Sequence, residues 1–426
     1  MNFVDKVYLS LKALFFVIIV CASFFLLFQN VLTVTFDLTP QLDELIIVSM
    51  VILWAFKTLD DPLSKKAFLL FLILFFFLFV ISYSAIPHRG ISRVSIQILI
   101  HLKFLIFLGF VNAYMPKSIA LSLVGVFLTA TIAFMLFELA YPTTMYQVFG
   151  EVIKSRQGVI RPIGIQGHTA NLGASIAFLG AFYICLIKKE KAILKAGVAV
   201  TFFILVFFTS ARTAFILFPI ILFWMLRGSV KNIFIVGVVS LSLIFVVSSS
   251  QVATKIINIT QKNIANTVED PVESGYIRGI MVYFSFEIAN ERFPLGTGAA
   301  TFGTVMSDES AVYVDLGVDK SQFFIEKEGI YDSNFASLLG EFGYLGVFVY
   351  FLLFARVIRL YLGGFTAESY EFFLVFTALL LFYSLTNPVF MNTITAFLAS
   401  ILIRAAHNST DNNRSQANKT QIMESF

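Results

Sequence analysis

Charge is scarce in this chain, and cysteine is scarcer. Asp, Glu, Lys and Arg make up 13% of the 426 residues, against 58% hydrophobic. A chain so rich in Phe, Leu, Ile and Val has too little polar surface to fold as a soluble globule. Its two cysteines, Cys21 and Cys185, both lie in apolar runs and exclude a disulfide framework. They read as small core residues. No Gly-Lys-Ser or Gly-Lys-Thr follows a glycine-rich turn, so the nucleotide-binding P-loop is missing and ATPase chemistry is excluded. Energy then comes from a substrate or a gradient. No sequence repeat of fixed period is present. The net charge of +4 carries no sign of nucleic acid as a partner.

What is present is a series of apolar runs, several about 20 residues long, enough to cross a ~30 Å hydrocarbon core. Short alternating segments, the mark of a β-barrel, are not the pattern. The expected fold is therefore all-α, a polytopic membrane protein of about twelve transmembrane helices. They fall near 13–34, 44–57, 67–86, 94–114, 119–140, 169–187, 195–209, 213–226, 232–249, 334–355, 370–386 and 388–403. The run from Ala13 to Val34 is too long for a signal-peptide core and is expected to be retained. The organisation is then a first set of spans over 1–249, a large external loop over 250–333, a second set over 334–406, and a disordered tail over 407–426.

Orientation follows from Lys and Arg in short connections. Lys6, Lys12, Lys57, Lys65, Lys66, Lys117, Lys188, Lys189, Lys191, Lys195, Arg227, Lys231, Arg356 and Arg359 share one side if both termini are cytoplasmic. Asp37, Asp43, Glu44 and the long acidic loop take the other.

Some cations fall on the outer side against this rule. They are His88, Arg89 and Arg93, then Lys154, Arg156, Arg161 and His168, then Arg212 and Arg278. Singly, each arginine can snorkel to headgroups or hold lipid phosphate. As a set from separate connections they point to an anion site, since guanidinium matches phosphate oxygens with paired donors. Arg212 sits in the polar break Thr209-Ser210-Ala211-Arg212-Thr213, which must be buried in protein or line a wet cavity. The segment from Arg161 through Gly164, Gly167, His168 and Asn171 to Gly173 opens a span. Its glycines admit close backbone approach, and the helix start presents free N–H groups.

In the long loop, Ile277, Ile280, Met281, Phe284 and Ile288 share one helical face between Ser274 and Phe293. Arg278 falls in the first turn, where a positive charge opposes the helix dipole, so its presence needs another reason, such as an anion ligand. Phe293-Pro294-Leu295-Gly296-Thr297-Gly298 reads as a turn. Asp332 precedes the next span, with Ser333 or Asn334 as its N-cap; Asp332 is also a candidate carboxylate at the membrane boundary. Gly343 and Gly346 are expected to admit close helix packing. His101, Lys103 and Glu138 lie within spans, as an interior pair or hydrogen bond, or on a substrate or proton path.

Taken in order, these motifs resemble one family. An Arg-Pro-x-Gly…Asn segment opens a span at Arg161–Asn171. A Ser-x-Arg break follows at Arg212, then an Arg-led loop helix, a Pro-x-Gly-x-Gly turn, and Ser333 followed after nine residues by Gly343-x-x-Gly346. The pattern, over about Arg156 to Arg359, is similar to the O-antigen ligase and polymerase superfamily of bacterial envelope glycosyltransferases. Ligases of that superfamily carry His where this chain has Asp332, so the resemblance favours a Wzy-type O-antigen polymerase.

The resemblance implies an enzyme of the bacterial inner membrane. It would act on a polyprenyl-diphosphate-linked oligosaccharide at the outer face, among membrane lipid, sometimes with a chain-length regulator protein. It implies Asp332, His168 and Arg278 as catalytic residues. Arg156, Arg161, Asn171, Arg212, Arg278, Ser333 and Asn334 would bind substrate. No cofactor is expected, and no metal, since no Asp-x-Asp occurs in an external loop. The rivals are ligation to lipid A core, a transporter or flippase of lipid-linked sugars, and a structural subunit of an envelope complex.

Overall fold

The computed structural model describes residues 3–37, 42–150, 153, 155–156, 159–187, 191–209, 211–226, 277–319, 322–327, 329–362 and 367–406, with isolated positions 234, 237, 265 and 269. The expected span at 232–249 lies almost wholly outside the described residues. So do Lys154, Lys188, Lys189, Arg227, Lys231, the first part of the long loop and the tail over 407–426.

The fold is all-α apart from a hairpin pairing Ser155–Arg156 with Val159–Ile160. In chain order the helices are α1 (Phe3–Phe36), α2 (Leu42–Lys57), α3 (Pro62–Ile81), α4 (Ile86–Arg89), α5 (Ile91–His101) and α6 (Lys103–Tyr114). Then come α7 (Lys117–Ala140), α8 (Thr144–Phe149), α9 (Thr169–Leu186), α10 (Ala192–Phe208) and α11 (Arg212–Leu226). After the undescribed stretch follow α12 (Ile277–Glu291), α13 (Ala311–Asp315), α14 (Gln322–Ile325), α15 (Asn334–Leu362), α16 (Ala367–Ser384) and α17 (Thr393–Ala406). Among the described residues, five helices are long and apolar enough to cross a membrane: Ala13–Phe36, Pro62–Ile81, Lys117–Ala140, Thr169–Leu186 and Asn334–Leu362. The pair α5–α6 makes a sixth if it is one bent span. Ile193–Phe208, Tyr370–Ser384 and Thr393–Ala406 are apolar but shorter. By length and composition this is an all-α membrane protein.

Helix α9 is the centre. Its span is 78% buried, against 28–39% for the other four. It packs on α10, α11, α16 and α17, and its small residues allow that crowding. A Cβ on Gly173 would stand 2.5 Å from that of Ala211, and one on Gly180 would stand 2.7 Å from the Phe218 ring. Helices that share a lipid solvent gain most from such close approach.

Three apolar stretches are not straight helices, the first being α1, which kinks at Phe28 (φ −110°, ψ 16°). The expected continuous fourth span bends by 59° between α5 and α6, at Leu102. Helix α15 breaks at Gly343, whose φ of 66° and ψ of −170° are not helical. Gly343 was expected to serve helix packing; instead a Cβ there would lie 2.3 Å from the carbonyl carbon of Leu295. The chain segment after α12 runs against this break and takes over its hydrogen bonds. Thr297 N donates to Gly340 O (3.0 Å), Gly298 N to Glu341 O (2.7 Å), and Leu345 N to Pro294 O (3.1 Å). These are the backbone groups that the missing helical turn would have paired. Gly346 does admit a neighbour, Ile81 of α3.

The described part of the long loop is a cap with its own core. Ile280, Met281, Phe284 and Ile288 of α12 are buried with Phe302, Tyr313, Val318, Ile330 and Ala336, and Ile277 packs against them. This is the face read from the 3.6-residue period. The cap sits on the first half of α15, which contributes Ala336. Of the two cysteines expected in the core, Cys21 is exposed on α1 and Cys185 is half-buried. An apolar run does not say which face of its helix turns inward.

Candidate functional site

The segment leading into α9 is fixed from three sides. The buried carboxylate of Glu138, near the end of α7, accepts from Ile163 N (2.9 Å) and Gly164 N (2.8 Å). Tyr146 Oη donates to Arg161 O (2.7 Å). Asn30 Nδ2 of α1 donates to Gln166 O (2.5 Å), and Gln166 Nε2 to Ser175 Oγ (2.5 Å). Gly164 and Gly167 take φ of 55° and 63°, a region costly for other residues. His168 is the extended N-cap of α9, and no side chain caps that helix. Its uncapped first turn therefore carries a partial positive charge.

A cavity of about 410 Å³ opens at this point. His168, Asn171, Gln166 and Gly167 line it from the α9 side, Asn30, Thr33 and Val34 from α1, and Asp332, Phe149 and Pro388 complete it. Buried Gln166 Oε1 has no hydrogen-bond partner among the described residues.

Asp332 joins this cavity to the cap. Arg278 donates to Asp332 Oδ2 from both Nε (3.0 Å) and Nη2 (2.7 Å). The two side chains are 26% and 28% exposed, so water reaches the pair. The anion that Arg278 requires in the first turn of α12 is thus supplied by the chain itself. Oδ1 of Asp332 accepts no bond among the described residues.

The other nominated residues are placed as follows. Ser333 Oγ accepts from Ala336 N (3.1 Å), so Ser333 is the N-cap of α15. Asn334 is fully buried and its Oδ1 accepts from Phe390 N (2.8 Å). Asn334 therefore holds the α15 start to the α16–α17 connection, and Ser333 Oγ also donates to Ser384 O at the end of α16 (3.5 Å). Arg212 opens α11, beside the first turns of α9, where Ala211 and Thr209 meet Gly173. Thr213 next to it bonds Thr386 at 3.1 Å, again on the α16–α17 connection. Arg161 is half-buried before α9 and Arg156 lies on the short hairpin. The structure therefore brings His168, Asn171 and Asp332 to one cavity with Arg278 behind Asp332. Arg161, Ser333 and Asn334 are not among the described residues that line it.

Of the remaining cations expected on the outer side, His88 and Arg93 are exposed. Arg89 ties α4 to the cap, donating to the carbonyls of Met306 and Asp308. Burial, reinforced by Arg93, lowers its pKa. Asp308 also accepts from Lys327 and from Tyr331. That hydrogen bond raises the Lys327 pKa. Burial, then the Asp308 bond, raises that of Tyr331. Tyr331 precedes Asp332 directly, so one network runs from α4 to the cavity edge.

Inside the bundle, His101 Nε2 meets Glu341 Oε2 at 2.8 Å. Lys103 is 3.4 Å from Asp43 and donates to Thr393 (3.0 Å), which donates to Asp43 (2.7 Å).

Asn30, Glu341 and Pro388 were not singled out from sequence. Asn30 had a signal, the polar pair Gln29-Asn30 inside an apolar run; Glu341 had one too, a carboxylate within an apolar span. Pro388 had none.

Chemically, the cavity combines a carboxylate and an imidazole for proton transfer with amides and a helix N-terminus for oxygen-rich ligands. Val34 and Phe149 supply apolar walls. No protein-family model matches the chain, and no curated protein matches it.

Proposed function

We propose that this protein polymerises polyprenyl-diphosphate-linked oligosaccharide repeat units at the outer face of the bacterial inner membrane. The expected arrangement has about twelve spans and both termini in the cytoplasm. The observation that carries this proposal is the meeting of His168, Asn171 and Asp332 at one cavity. They come from two of the segments on which the family resemblance rests.

In this mechanism a hydroxyl of the acceptor unit attacks the anomeric carbon of the donor chain. The bond from that carbon to the diphosphate oxygen breaks, and the lipid diphosphate leaves with the electron pair. Asp332 takes the hydroxyl proton on Oδ1 while Arg278 holds Oδ2, with His168 as the alternative base. A positioned base contributes about 10²–10⁴-fold. The leaving diphosphate is stabilised by the first turn of α9, with Arg161 and Arg212 on the flanking segments. Asn171 orients sugar hydroxyls. A chain-length regulator is a further partner in this proposal.

The test uses purified protein in liposomes with a polyprenyl-diphosphate repeat unit as sole substrate, and glycan length read on a gel. A ladder is expected; Asp332→Asn should cut its rate by about 10²–10⁴-fold. A full ladder from both Asp332→Asn and His168→Gln removes the base assignment. A single unchanged band from the native protein removes the polymerase, and added lipid A core then tests ligation.

One observation favours transport of lipid-linked sugars as a second possibility. Broken helices and a buried ionisable pair, His101 and Glu341, are features that carriers use at their binding sites. Movement of a labelled lipid-linked sugar across sealed liposomes, without any ladder, would favour it.

A further inference from the structure

Helix α12 has a second stripe besides the one it buries in the cap. Tyr283, Phe286, Asn290 and Phe293 follow one another at i, i+3, i+7 and i+10 at the end of α12 and just past it, and all are exposed. Phe293 reaches 73% exposure. In water a row of three exposed aromatic rings is costly, and soluble surfaces seldom keep one without a partner.

The stripe does not end with the helix. Tyr344, the residue after the Gly343 break, stands between its members. Its ring lies 6.5 Å from Phe286 and 6.1 Å from Phe293, and its hydroxyl donates to Asn290 Oδ1 at 2.8 Å. Phe348 and Leu352 continue from Tyr344 at four-residue spacing along α15, and both are exposed. This lower part belongs to a helix long and apolar enough to cross a membrane. An exposed apolar row on such a helix meets acyl chains. The upper part mixes rings with a hydroxyl and an amide, as side chains at the membrane–water boundary do.

We propose that the Tyr283–Phe286–Phe293 stripe of α12 is embedded in the interfacial layer of the bilayer, making the cap helix a membrane-surface anchor. The occupant of the stripe is lipid, at headgroup and upper acyl depth. The anchor sets the height of Arg278, in the first turn of the same helix, and so of Asp332. The inference depends on the bundle crossing a membrane and is independent of the reaction catalysed.

The test places tryptophan at Phe286 or Phe293 in a Trp224→Phe background, since Trp224 is exposed and Trp54 is fully buried. Val314→Trp, at an exposed cap position outside the stripe, is the control. Each variant is reconstituted in liposomes whose lipids carry a bromine or spin-label quencher near the headgroup end of the acyl chain. Phe286→Trp and Phe293→Trp should emit at shorter wavelength and lose emission to the lipid quencher, while Val314→Trp loses emission only to aqueous iodide. The proposal is overturned if the stripe variants answer to iodide instead. It is also overturned if all three positions are quenched alike by lipid. Tyr283→Trp repeats the measurement should either phenylalanine variant fail to elute as a single species in detergent.

Discussion

The carboxylate of Glu341 and the imidazole of His101 stand 2.8 Å apart with neither side chain exposed. The other oxygen of Glu341 accepts from Thr301 N (3.1 Å), Phe302 N (3.3 Å) and Thr304 Oγ1 (3.1 Å). One side chain thus joins the break between α5 and α6, the break in α15 and the base of the cap. Its surroundings are dry, so every partner counts.

Glu341→Ala should therefore be among the most damaging substitutions. Removing the carboxylate leaves the buried donors of Thr301, Phe302 and Thr304 without their acceptor, at about 1–3 kcal/mol for each such group. Thermal unfolding in detergent should fall clearly, and protease should cut between Leu295 and Ser310 faster than in the native protein. Glu341→Gln, which keeps an acceptor oxygen for the cap, should lose less. An Ala variant with native melting and native protease resistance would remove Glu341 from this latch role.

The pair Arg278–Asp332 should behave differently. It is partly exposed, and such ion pairs contribute only about 0.2–1 kcal/mol to stability. Arg278→Ala and Asp332→Ala are each expected to melt near the native temperature yet to lose most polymer ladder. The double variant should be little worse than the poorer single one, because the two side chains act as one unit. Multiplying losses would mean independent roles.

Gly343 tolerates no side chain. Its positive φ and the Leu295 carbonyl carbon 2.3 Å from any Cβ both oppose Gly343→Ala. The yield of folded protein from membranes should drop steeply. Gly125→Ala in α7, with no atom within 4 Å of the new Cβ, should express normally. Equal yields for the two would contradict the break at Gly343.

Alkaline pH should loosen the cap. Burial pushes the Tyr313 hydroxyl up to about 12, above the ordinary value of 10.0. Its neutral form accepts from Gly303 N (2.8 Å) and bonds Ser307 Oγ (2.7 Å). A group raised on folding stabilises fully below its unfolded pKa, and that contribution is lost as pH rises through the folded value. The cap should thus weaken between pH 10.0 and about 12. Tyrosinate absorbance and proteolysis of the cap should rise together across that window. Tyr313→Phe should flatten the part of the transition that Tyr313 contributes.

Sequence was informative wherever the cause of structure is local. Period alone located the buried face of α12, and a small polar residue before an apolar run located the Ser333 cap. The position of Arg278 in a first turn pointed to an anion ligand, whereas the partner found there is the chain's own Asp332. The break at Gly343 was illegible for the same reason. A Gly-x-x-Gly pattern serves packing or breakage equally well, and the decision rests with backbone groups of Pro294 and Leu295, far away in the chain. Asn30 reaches Gln166 only because α1 folds beside the start of α9. Such long-range pairings are properties of the assembled bundle, and no window of residues contains them.

The replaced turn of α15 has a consequence for how the protein can be altered. Gly340, Glu341 and Leu345 depend on Pro294, Thr297 and Gly298 for their backbone pairing, inside a helix of membrane-crossing length. An acyl-chain environment offers no water to stand in for those partners. The cap is therefore not an appendage that can be trimmed or exchanged. It completes a helix of membrane-crossing length, and a graft that kept every side chain of the cavity but changed the course of Pro294–Gly298 would unmake the helix beneath it.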